Sequence, residues 1–174
     1  MQNDTIKLFA LSYKDVRTYY VASLFVIGNI VLPQIFHLVP KGGMVWLPIY
    51  FFTLVGAYKY GWKAGLLTAI FSPIINSLLF GMPMPSALPA ILLKSILLAL
   101  AAGYVAHRFQ KASLPLLALT ILSYQIVGTI GEWAMTGDLA VAMQDFRIGI
   151  PGMLLQIFGG YAFINYFIRN RFIK

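Results

Sequence analysis

SALPAILLKSILLALAAGYVAH, residues 86–107, is an apolar run long enough to cross a bilayer, and it carries one lysine, Lys94, in its interior. A transmembrane helix needs about 20 mostly apolar residues. A lysine buried in that slab is costly, so such residues face a bundle interior or a water-filled cavity, where they meet a partner or a ligand. The rest of the chain has to supply what Lys94 meets.

The composition agrees with a membrane setting. Of 174 residues, 60% are hydrophobic and 10% charged, with a mean hydropathy of +0.80, more apolar surface than a soluble domain of this size buries. There is no cysteine, which excludes a disulfide framework, thiolate metal sites and cysteine nucleophiles. The net charge of +8 would suggest nucleic acid in a soluble protein; here it orients the chain in the membrane, and no nucleic-acid partner is expected. The N-terminus lacks an uninterrupted apolar stretch before a small-residue cleavage site, and reads as mature sequence.

Six segments qualify as spans: residues 17–37, 44–58, 62–80, 86–106, 113–135 and 148–168, the second being short. The expected fold is all-α, a single six-helix membrane bundle over residues 1–174, with residues 1–16 as a cytoplasmic or interfacial segment. Within that segment, residues 5–13 combine Ile6, Leu8 and Phe9 with Lys7 and Lys14, which suits either a short amphipathic helix or a frayed terminus.

Short loops that hold lysine and arginine stay cytoplasmic. With both termini inside, the inner segments hold ten basic residues: Lys7, Lys14, Arg17, Lys59, Lys63, Arg108, Lys111, Arg169, Arg171 and Lys174. The outer segments hold two, Lys41 and Arg147. That bias favours an even number of spans in a multi-pass protein of the cell membrane, for which a prokaryotic plasma or inner membrane is the expectation. Three of the five acids, Glu132, Asp138 and Asp145, fall in or beside the last outer loop.

At a rise of about 1.5 Å per residue, Lys94, Gln125, Gln156 and Asn29 share one depth in the outer half, with Asn76 and Glu132 nearer the surface. Two readings follow. In one, Lys94, Gln125, Gln156, Asn29 and Asn76 line a pocket open to the outside, with Glu132, Trp133 and Arg147 at its mouth, and hydrogen-bond a polar solute. In the other, Lys94 pairs with Glu132 and the amides join helices to one another. The outer loops HLVPKGGM (37–44) and FGMPMPS (80–86) add turn-forming glycine and proline, with methionine as adaptable contact area. Trp46 and Trp133 also suit an interfacial aromatic belt. A substrate is not legible, because Lys94 favours an anionic or accepting group whereas Glu132 and Asp138 favour a cation.

No Walker A sequence, Gly-x-Ser-x-Gly, His-Glu-x-x-His or pair of intramembrane acids occurs, so neither an enzyme nor a self-powered pump is expected, and no cofactor or metal is implied. An intramembrane enzyme is the weakest of three alternatives. The others are a solute-capture subunit and a non-transport scaffold within a cell-envelope assembly.

In LVGAYKYGWKAGLLTAIFSPIINSLLFGMP (54–83) and LPAILLKSILLALAAGYVAHR (88–108), the chain resembles the substrate-binding S component of energy-coupling-factor vitamin transporters. The resemblance lies in pattern and hydropathy over most of residues 17–171. It implies a small bundle that binds a vitamin or precursor near the outer face through helices four to six and the loops after helices one, three and five. It further implies docking through the first helices on a transmembrane coupling protein driven by two ATPase subunits, with toppling in the membrane to release cargo. Many members carry alanines at four-residue spacing in the first helix; here Ala22, Val26 and Ile30 occupy that register. Small-residue faces through Ser23 or Gly28 are the alternatives for docking.

Overall fold

The computed structural model describes residues 8–168, which form helices and connecting loops with no strand among them. Four helices are long and apolar enough to cross a membrane: α1 (Val16–Phe36), α4 (Trp62–Phe80), α5 (Leu88–Phe109) and α6 (Leu114–Thr136). Between α1 and α4 lie α2 (Gly42–Trp46), a 3-10 turn at Pro48–Tyr50 and α3 (Phe51–Tyr60). Beyond α6 come the short helices α7 (Leu139–Ala142), α8 (Gln144–Ile148) and α9 (Ile150–Leu154), then π segments at Leu155–Gly159 and Phe163–Phe167 flanking α10 (Gly160–Ala162).

Large apolar side chains stand outward on all four long helices, among them Ile27, Leu78, Tyr104 and Ile130, each more than half exposed. Water would penalise such a surface, whereas hydrocarbon tails match it. The chain is a membrane-embedded helical protein.

The second expected span is broken. Pro48 has no N–H to continue a helix, and Leu47 before it turns left-handed at φ 47° and caps α2. What remains is α3, ten residues long and buried at every position but Phe52. It packs against α1, α4 and α5, so a short helix occupies the centre of the bundle. Its neighbours come very close: a Cβ on Gly65 of α4 would overlap Ala57 of α3. Beyond α8, the backbone is right-handed helical at the junction residues Leu155, Gly160 and Phe163, and helical or π structure continues over residues 150–167. At Gly152 it lies so close to the Trp46 carbonyl that a side chain there has no room.

The N-terminal segment is not an amphipathic helix over its described part. The Phe9 N–H donates to the Lys59 carbonyl at 2.8 Å and the Leu11 N–H to the Tyr60 carbonyl at 3.1 Å, tying residues 8–11 across the end of α3. Residues 5–7 of that expected helix, and the basic residues Lys7, Arg169, Arg171 and Lys174, lie outside the described residues.

Candidate functional site

The amide layer expected from depth separates into two networks. The first joins α1, α3 and α4. Asn29 donates from Nδ2 to the Thr53 hydroxyl at 3.1 Å and the Ser72 hydroxyl at 3.3 Å, while its Oδ1 accepts the Phe52 N–H at 3.0 Å. Asn76 donates to the Asn29 and Ser72 carbonyls, both at 2.9 Å.

This network has a local cause. Pro33 lies four residues after Asn29 in α1, and its missing N–H leaves the Asn29 carbonyl without its helical partner. Asn76 supplies the replacement. Asn29 and Asn76 therefore join helices, and both are fully buried. Asn76→Leu is expected to cost about 1–3 kcal/mol by stranding that carbonyl in an apolar core. Adding Pro33→Ala returns the helix its own donor, so the double variant should recover most of the loss in thermal unfolding of the purified protein. Equal melting of the single and double variants would separate Asn76 from the proline.

The second network surrounds Lys94, six residues into α5 and hence about 9 Å from the end of the helix at Leu88. Its Nζ lies 2.6 Å from Glu132 Oε2 on α6 and 2.7 Å from Asp145 Oδ2 on α8. Gln125 on α6 donates from Nε2 to the same Asp145 oxygen at 3.3 Å. Gln125, Thr129 and Glu132 follow helical spacing along one face of α6. Between them Gly128 makes room for the lysine stem, since a Cβ there would stand 2.6 Å from Lys94 Cγ.

Gln156, in the first π segment, lies deeper. Its Oε1 accepts the Tyr124 hydroxyl at 3.0 Å, and the Tyr124 ring packs on that of Tyr50 with centroids 5.7 Å apart. Thus Lys94 pairs with Glu132, the arrangement expected where polar residues join helices, and Gln125 reaches the lysine through Asp145, while Gln156 bonds to Tyr124 instead. Trp133 and Arg147 are exposed and make none of these contacts. Asp138 accepts from the Ala140 and Val141 N–H groups as the N-cap of α7, which accounts for its carboxylate locally.

Asp145, Tyr124 and Tyr50 are the members that sequence reasoning missed. Asp145 was legible as one of three acids near the last outer loop, but a loop residue has no depth until the loop folds. Here α7 and α8 return the chain against the bundle and bury Asp145 to 8% exposure.

The site is charged and partly open. Side-chain exposure is 4% for Lys94, 15% for Glu132 and 11% for Asp145, so solvent reaches the carboxylates more than the ammonium. Among the described residues, Gln34 Nε2, Asn76 Oδ1, Ser95 Oγ, Gln125 Oε1, Thr129 Oγ1 and Gln156 Nε2 are buried without a hydrogen-bond partner, and of these Gln125 and Thr129 share the α6 face that carries Glu132. Buried polar atoms are ordinarily paired, so a group of unpaired ones beside an ion cluster can receive a polar solute. Compared with protein-family models, curated proteins and solved structures, the chain matches none.

Proposed function

We propose that the chain is the substrate-capture component of an energy-coupling-factor type transporter, taking up a small water-soluble vitamin or precursor. The observation that carries this reading is the Lys94 cluster with its unpaired buried amides, set near the end of the bundle where α5 begins and α6 ends. On this reading both termini are cytoplasmic and there are six passes. The stretch 42–60 crosses as a broken span and 150–167 crosses through its π segments. Lys59, Lys63, Arg108 and Lys111 at the opposite end mark the cytoplasmic side, which puts the cluster toward the outside. The energy source lies on other polypeptides: a transmembrane coupling protein and two ATPase subunits. The protein performs no chemistry on its cargo.

A second reading, a scaffold subunit of an envelope assembly, draws on the same ion pairs, since Lys94 already has carboxylate partners. The two readings separate on purification of the full chain from membranes. Capture predicts a stoichiometric small molecule released on denaturation and identified by mass spectrometry, with ATPase subunits recovered in a pulldown. Recovery of envelope proteins, with no small molecule and no ATPase, would leave the scaffold reading standing alone.

A further inference from the structure

The charges of the cluster do not balance. Lys94 brings one positive charge and Glu132 and Asp145 bring two negative ones, in a pocket where the lysine is almost fully enclosed. Burying a net charge is unfavourable, so the site favours a further positive charge, which a proton or a cationic group can supply. We propose that the cluster is a subsite for an organic cation bearing N–H donors, an ammonium or amidinium group; this rests on the capture reading above and assigns the chemistry of the cargo.

The disposition of acceptors supports this independently of the charge count. Asp145 takes both of its hydrogen bonds, from Lys94 and Gln125, on Oδ2, so Oδ1 receives none among the described residues. Gln125 is fully buried, and turning its Nε2 toward Asp145 leaves its Oε1 as an unpartnered acceptor beside the carboxylate. Lys94 is committed to two carboxylates at 2.6 and 2.7 Å, so it is not free to receive an anion. Asp145 Oδ1 and Gln125 Oε1 are both hydrogen-bond acceptors, and a cationic N–H group suits both them and the charge. Tyr124, the residue before Gln125 in α6, packs its buried ring on that of Tyr50, and such rings suit a flat cation.

Benzamidine, benzamide and benzoate, three probes of nearly one shape and different charge, test this on the full chain in lipid nanodiscs. Binding is read by saturation-transfer NMR titration. Benzamidine is expected to bind at least about tenfold more tightly than benzamide, as a charge-assisted hydrogen bond implies, with benzoate weakest. The chain's overall charge of +8 would by itself favour benzoate, so the preference has to come from the cluster. Glu132→Gln and Asp145→Asn should each abolish the preference, whereas Asp138→Asn, the same change of charge at the α7 cap, should leave it intact. Benzamidine binding no better than benzamide, as when a proton alone balances the cluster, overturns the proposal. So does a preference for benzoate. A preference for benzoate, or a released molecule that is anionic, leaves the capture reading in place; no bound probe and no released molecule removes both.

Discussion

Lys94→Met is expected to lower the thermal stability of the purified protein by an amount corresponding to about 3–5 kcal/mol, the usual cost of removing one partner from a buried ion cluster. Methionine matches the lysine stem in length and apolar character, so the loss isolates the ammonium. Without it, Glu132 and Asp145, both within 2.7 Å of the missing charge, would face each other across a poorly solvated pocket. Neutralising both acids in the same chain, as Lys94→Met with Glu132→Gln and Asp145→Asn, removes the repulsion and should restore most of the stability. Wild-type melting of Lys94→Met would show that the pairs contribute nothing to the fold. The triple variant also separates the two functional readings, because a scaffold needs only a stable bundle. Capture predicts that the triple variant folds yet loses its small molecule; full cellular function in that variant would favour the scaffold.

Gly103→Val is expected to be strongly damaging, costing about 1–3 kcal/mol or more through overpacking. A Cβ at Gly103 would lie 2.8 Å from both the Cα and the N of Trp62, the first residue of α4. Backbone at a helix start cannot step aside as a side chain can, so α4 and α5 must separate. Gly128→Ala is the instructive contrast. There the obstacle is Lys94 Cγ at 2.6 Å, part of a flexible stem, so the fold should survive while the ion pairs shift. Thermal unfolding with size-exclusion chromatography distinguishes the cases. Gly103→Val melting above Gly128→Ala would contradict the close approach of α4 and α5.

Much of the architecture was legible because hydrocarbon forces every backbone group to find its partner within the chain, so apolar runs of about 20 residues become helices. The segments around α1, α4, α5 and α6 were read to within a few residues on that basis. The second expected span was not, since Pro48 breaks it and its burial comes from neighbours rather than from its own length. Azimuth was not legible. Asn29 and Lys94 were expected at one level yet belong to different networks, because a rise per residue says how far along its helix a side chain sits and nothing about which helix it faces.

The sequence by itself determined that Lys94 would be buried among helices, because its apolar flanks leave it no other place. Tertiary structure decided its partners. Asp145 stands 51 residues from Lys94, on a short helix whose inward fold depends on contacts that no local pattern encodes. The second carboxylate changes the charge count: Glu132 alone would match the lysine, and Asp145 sets a second acid against the same ammonium.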